Sequence, residues 1–362
     1  MNKKGAYIHI PFCKSICSYC DFCKFLYDKK WVDLYLDALN QEITEYYEND
    51  KVKSIYIGGG TPSALSIDEI NKLFTILKRF NLADINEVTF ECNVNDINDE
   101  LLKTLHMNGV NRLSIGIESF NKKNLEFMNR NHNKKEIFEK IKLCRGYEFN
   151  NINVDLIYAL PSEKMLTFKR DVKNILKLGV EHISTYSLII EDHTMLSYNK
   201  IKPIEEEIDY NMYKYICKKL SKNGYHHYEV SNFAKVGYES RHNLTYWDND
   251  EYYGFGLGSH GYINDTRYEN TKNLNKYLKG EFRFDEFLVS LQEEMENELI
   301  LGLRKLDGIS INEFYQRFNK DIYKVFKLDK ALEKGYLEIY NGKLFIPENK
   351  IYVMNEIINM IM

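Results

Sequence analysis

No apolar run approaches the ~18–20 residues that a membrane-spanning helix needs. Two lysines follow Met1 and Asn2, but no apolar stretch comes after them, so no secretory signal is expected. Neither sign of charge dominates: 49 Lys and Arg against 53 Asp and Glu leave a formal net charge of -4. That balance offers no footprint for nucleic acid or for wholesale attachment to an acidic membrane. There is no internal repeat and no low-complexity linker. A composition 44% hydrophobic and 28% charged excludes a disordered chain, which needs low hydrophobicity and high net charge. The expectation is a cytoplasmic globular protein, and 362 residues at ~150 per domain suggest two domains.

The seven cysteines are unevenly placed. Cys13, Cys17, Cys20 and Cys23 crowd together, whereas Cys92, Cys144 and Cys217 stand alone. In a reducing compartment such a cluster reads as metal binding rather than as disulfides. Cys13-x3-Cys17-x2-Cys20 directly follows a β-rich run. Three thiolates on one loop suit three irons of a 4Fe–4S cluster and leave the fourth open to a ligand. Phe12, Tyr19 and Phe22 would shield it from water. The competing reading is zinc held by Cys13, Cys17, Cys20 and Cys23, but such sites usually draw on a second, distant pair. Cys23 is left outside the iron ligands, because a fourth thiolate would close the open iron.

Six β-rich runs alternate with helical patterns: Ala6–Ile10, Ser54–Ile57, Glu87–Glu91, Arg112–Ile117, Ile152–Tyr158 and His182–Ile189. Ser66 and Glu69 form a capping-box pattern ahead of Ile70, Leu73, Phe74 and Leu77 at helical spacing. Leu101–Leu105 reads as helix ending near Gly109. The expected fold class is α/β: a partial (β/α)6 barrel with its chemistry at the C-terminal strand ends. The core domain is expected over 1–223 and a C-terminal α+β domain over 224–362. In the latter, Tyr225–Ala234 reads as a strand, Gly254–Gly261 as a glycine-rich loop and Phe282–Arg304 as one helix presenting Phe287, Leu288, Leu291, Met295 and Leu299. Tyr336–Tyr340 and Lys343–Ile346 flank Asn341-Gly342, a strong hairpin signal. Helices followed by a hairpin suggest a small winged-helix-like module, here a structural cap, since its charges nearly cancel.

Cys-x3-Cys-x2-Cys with an aromatic before the last cysteine resembles the signature of the radical S-adenosylmethionine (SAM) superfamily. Tyr7-Ile-His-Ile-Pro-Phe-Cys13, Gly58-Gly-Gly-Thr-Pro62, Arg112-Leu-Ser-Ile-Gly-Ile-Glu118 and Asn153-Val-Asp155 through Pro161 resemble its oxygen-independent coproporphyrinogen III oxidase-like branch. Tyr228-Glu-Val-Ser-Asn-Phe-Ala234 and His242-Asn-Leu-Thr-Tyr-Trp247 are similar to the heme chaperone group, HemW, within it. The resemblance implies a 4Fe–4S cluster on Cys13, Cys17 and Cys20 whose open iron chelates SAM, the cofactors carrying the radical chemistry. It also implies a SAM pocket made by Tyr7, Gly59, Gly60, Thr61, Glu91, Glu118, Arg130 and Asp155. The branch commonly has Gln where this chain has Glu118, and an ionised carboxylate cannot donate a hydrogen bond.

Within the branch, the oxidases carry a cysteine two positions after the third ligand and a long N-terminal extension. Here Phe22 takes that position and twelve residues precede Cys13, so the resemblance favours the chaperone and argues against coproporphyrinogen III oxidase activity. It implies heme as ligand, delivery to haemoproteins such as those of the respiratory chain, and at most peripheral membrane contact. His242 is the lead axial-ligand candidate, with Tyr246 and Trp247 as flat apolar faces for a porphyrin. The alternative for His242 is a structural corner. His260, in Gly258-Ser-His-Gly261, is a rival ligand, and His226 and His227 read as structural. The absence of Cys-x2-Cys-His excludes c-type attachment.

Overall fold

The structure is a computed structural model and describes residues 4–362. Six strands carry the core: β1 (Lys4–Ile10), β2 (Val52–Gly59), β3 (Glu87–Asn93), β4 (Arg112–Glu118), β5 (Ile152–Tyr158) and β6 (His182–Ser187). Each lies parallel to the next. Helices α1 (Lys29–Tyr46), α2 (Ile67–Leu77), α3 (Asp99–Met107), α4 (Lys134–Gly146), α5 (Met165–Leu178) and α6 (Glu206–Ser221) alternate with them. One face of the strands is apolar and packs in the core, as Leu113, Ile115 and Ile117 of β4 do, while polar residues such as Ser114 and Ser184 occupy the other. The Ser66–Glu69 capping box forms and buries Ile70, Leu73, Phe74 and Leu77. The chain turns after α3 at Gly109, whose φ of 79° suits glycine. The expected six-unit α/β core is therefore present.

Beyond α6 come β7 (His226–Glu229), β8 (Asn232–Ala234), α7 (Arg241–Trp247), β9 (Tyr252–Phe255), β10 (His260–Ile263), β11 (Thr266–Asn270), β12 (Arg283–Leu288) and α8 (Leu291–Gly302). One sheet runs β12-β11-β10-β9-β1-β2-β3-β4-β5-β6-β8-β7. It continues without a break across residue 223, and β9 joins the free edge of β1 in parallel. The buried Glu42 of α1 fastens the two sides of the chain. It accepts hydrogen bonds from the Gly256 N–H (2.8 Å), the Tyr277 hydroxyl (2.5 Å) and the Asn270 amide (2.5 Å).

Two expectations need correction. Tyr225–Ala234 is not one strand but the antiparallel pair β7–β8, with β8 antiparallel to β6. Phe282–Arg304 is not one helix. It opens as the edge strand β12, and α8 starts only at the capping box of Ser290 and Glu293. Phe287, Leu288 and Leu291 are exposed, and only Met295 and Leu299 of the expected face are buried. At the C-terminal end, Ile309–Ser310, Lys343–Phe345 and Glu338–Tyr340 form a small antiparallel sheet beside the helix Ile311–Phe318. Its hairpin turns at Asn341 (φ 49°) and Gly342 (φ 76°), the left-handed pair that a tight two-residue turn demands.

Candidate functional site

The cysteine loop is pinned at both ends. Phe12–Cys13 pairs with Phe25–Leu26, and the Tyr27 N–H donates to the Cys13 carbonyl at 2.8 Å. On its other side it rests on the turn after β2. The Gly60 and Thr61 N–H groups donate to the Ile10 and Phe12 carbonyls at 2.8 and 2.9 Å. A Cβ on Gly60 would sit 2.8 Å from the Ile10 oxygen and from the Pro11 carbonyl carbon. The glycine is thus required by the approach of two protein backbones. Thr61 Oγ1 donates to Cys13 Sγ at 3.3 Å. Burial pushes the Cys13 and Cys17 thiols up, and the Cys20 thiol up to about 11. Coordination to a cationic centre is what would hold them as thiolates.

Cys13, Cys17 and Cys20 line one cavity of about 460 Å³, whereas Cys23 faces a separate cleft. Among the described residues, no three His, Cys, Asp or Glu side chains converge on a single-ion site. With Cys23 apart, three spaced thiols facing one open cavity fit the corners of a cluster.

The same cavity receives Gly59, Gly60, Thr61, Glu91, Glu118, Arg130 and Asp155. Glu91 accepts from the Tyr56 hydroxyl (2.7 Å) and the Gly59 N–H (3.0 Å), and burial pushes its carboxyl up to about 7. Glu118 ends β4 at a φ of 55°, a left-handed conformation uncommon outside glycine, and pairs with Arg130 at 2.7 Å. Burial raises its carboxyl, and the Arg130 charge works against that rise. Arg130 also reaches the Tyr19 hydroxyl (3.2 Å) and Asn93. Asp155 accepts from the Asn153 amide at 2.8 Å, and its carboxyl is raised by burial. Tyr7 is the exception among the expected SAM residues: it lines the separate cleft, and its hydroxyl lies 3.0 Å from His9 Nδ1. Tyr56, Asn93, Arg112 and Lys24 are cavity residues that sequence reasoning missed. A signal existed: Arg112, Ser114, Gly116 and Glu118 all face the cavity at the period of two that a strand imposes.

His242, the lead heme-ligand candidate, is buried against β2. It is 1% exposed, and both ring nitrogens are engaged, Nδ1 with Ser54 Oγ (3.0 Å) and Nε2 with the Tyr246 hydroxyl (2.8 Å). Burial lowers its pKa to about 3. Tyr246 and Trp247 line the cleft that holds Cys23, and His260 opens into it too.

Residues 7–175 match the radical SAM superfamily and residues 289–351 the HemN C-terminal domain. The heme chaperone HemW of Lactococcus lactis is 41% identical over 89% of this chain and 87% of its own length. That of Bacillus subtilis is 38% identical over 98% of both. The chain belongs to the HemW family of radical SAM proteins. Membership implies a 4Fe–4S cluster and SAM, and the donor set of the cavity fits both. The fold also matches coproporphyrinogen III oxidase (HemN) from Escherichia coli, with a TM-score of 0.87 and 22% identity over 99% of this chain and 89% of that one. At that identity the match shows the fold alone. No helix among the described residues is long and apolar enough to cross a membrane.

Proposed function

We propose that this protein is a heme carrier that holds a 4Fe–4S cluster and SAM and passes heme to haemoproteins, those of the respiratory chain included. The observation that supports this best is the similarity to HemW proteins over nearly the whole chain. In this reading Cys13, Cys17 and Cys20 hold the cluster, which supplies the electron for SAM chemistry when reduced. Glu91 and Asp155 accept hydrogen bonds from the ammonium and hydroxyl groups of SAM, and Arg130 sets the orientation of Glu118. Gly59, Gly60 and Thr61 brace the cluster loop. Any contact with a membrane is peripheral.

Coproporphyrinogen III decarboxylation is the less favoured reading. Phe22, 61% exposed, occupies the position where the oxidases carry their additional cysteine. The test is anaerobic reconstitution with iron and sulfide, then hemin titration followed by the Soret band, beside a turnover assay on coproporphyrinogen III with SAM and a reductant. Saturable hemin binding without turnover is expected. Rapid decarboxylation, or no hemin binding, would overturn the carrier reading.

A further inference from the structure

We propose that Arg112 is a positioning residue of the SAM site: its guanidinium lets Glu91 and Asp155 ionise near neutral pH, the form that accepts from a cationic ligand. This rests on the SAM contacts given to those two carboxylates above. Arg112 is 2% exposed and lines the main cavity. It makes no hydrogen bond or ion pair among the described residues, and its Nε is buried without a partner. A cation so deeply buried is costly unless a nearby charge answers it. The neighbouring polar groups are already spent. His182 bridges Asn153 (2.6 Å) and the Tyr228 hydroxyl (2.8 Å), and Glu87 accepts from the Arg241 and His242 N–H groups. Glu118 is likewise taken by Arg130 at 2.7 Å. Glu91 and Asp155 are the cavity carboxylates that no guanidinium has claimed.

The strand register brings the three together. Arg112 stands opposite Thr89 of β3, two residues before Glu91 on the same face, and Asp155 of β5 stands opposite Gly116. The β4 residues that follow Arg112 on that face, Ser114 and Gly116, are small and leave the way open. Burial raises both carboxyls, and the Arg112 charge works against the rise in each. The other charges of the cavity are Lys24 on the cysteine loop and the exposed Asp21 and Glu191. Burial pushes up the hydroxyls of Tyr7, Tyr19, Tyr56, Tyr186 and Tyr228, so they stay neutral. It pushes down His182 on β6 and His242 on α7, which stay neutral too. Without Arg112, two buried carboxyls facing each other would keep at least one proton between them.

The test is equilibrium dialysis of radiolabelled SAM against the full-length protein, reconstituted with its cluster, across neutral pH. Affinities are read as the ratio of variant to wild type, in which the titration of SAM itself cancels. Arg112→Met should bind at least about tenfold more weakly near pH 6.5 and come within about threefold near pH 8.5, because carboxyls without their cation ionise only at higher pH. Arg112→Lys keeps the charge and should follow the wild-type profile. A purely structural role would weaken binding equally at every pH, so a flat ratio overturns the proposal. If Arg112→Met does not fold, Arg112→Met/Asp155→Asn, which removes one buried charge of each sign, takes its place. Glu91 alone should then give the same rise with pH. SAM binding that Glu91→Gln and Asp155→Asn leave unchanged would instead overturn the contacts on which the proposal rests.

Discussion

Replacing His242 by Ala should damage stability. The substitution strips the partner from two hydroxyls, Ser54 Oγ and that of Tyr246, and empties a ring-sized space beside Tyr56. An unsatisfied buried hydroxyl costs ~1–3 kcal/mol, and the cavity adds to it, so a loss of about 3–5 kcal/mol is expected. The pH dependence gives a second handle. In the unfolded chain His242 titrates near 6.5, whereas in the fold burial, with Arg112 and Lys53 adding, lowers it to about 3. Its neutral form is the folded form. The stability it contributes is present above pH 6.5 and is lost as pH falls toward the folded value. Between pH 6.5 and 4.5 that amounts to roughly 2.7 kcal/mol, at ~1.36 kcal/mol per unit. Urea unfolding of the wild type and His242→Ala at pH 7 and pH 4.5 measures both quantities. His9 and His182 are present in both proteins and drop out of the difference. The gap should be about 3–5 kcal/mol at pH 7 and narrow by about 2–3 kcal/mol at pH 4.5. A gap below ~1 kcal/mol at pH 7, or one indifferent to pH, would refute the structural role of this histidine.

Cys13→Ala, Cys17→Ala and Cys20→Ala should each abolish iron–sulfur absorbance after anaerobic reconstitution, whereas Cys23→Ala should keep full iron and sulfide content; an equal loss in Cys23→Ala would place it among the ligands. Gly60→Ala drives a methyl into the Ile10 and Pro11 backbone, which cannot rotate away, so it should cost ~1–3 kcal/mol and prevent reconstitution while far-UV dichroism stays native. Arg130→Met removes the cation beside the buried Glu118 carboxyl, which then takes up a proton, so a loss of ~1–3 kcal/mol is expected at neutral pH. That loss should shrink in acid, where the raised carboxyl is protonated, and should largely vanish in Arg130→Met/Glu118→Gln; denaturation midpoints across pH test both statements.

The parallel core was legible because β-rich runs alternate with capped helical patterns from β1 to β6, and each strand sends one apolar face to the helices. The cysteine loop was legible because its chemistry is local: three thiols on one short loop need no distant partner to be noticed. The stretch around β12 misled for a physical reason. Phe287 and Leu291 recur at helical spacing, but β12 is an edge strand whose side chains are exposed on both faces, so the alternation that marks a half-buried strand is missing. The Ser290–Glu293 capping box was the local sign of where the helix starts, and it went unread. The members of the cavity on β4 were also within reach, because a period of two through Glu118 leads back to Ser114 and Arg112.

The surroundings of the histidines were not legible in this way. His242 and His260 each lie near aromatic residues in the chain. What the His242 ring nitrogens meet depends on Ser54, 188 positions away, and on the helical turn that brings Tyr246 back onto the ring. What His260 meets depends equally on the strand register that sets Glu269 opposite it and leaves that ring open to the cleft. The motif reports which groups are neighbours, and the sheet decides which of them are spent. The Tyr246 hydroxyl holds the His242 ring while its own ring forms part of the cleft wall. His242 therefore shapes the wall of the cleft that His260 also lines.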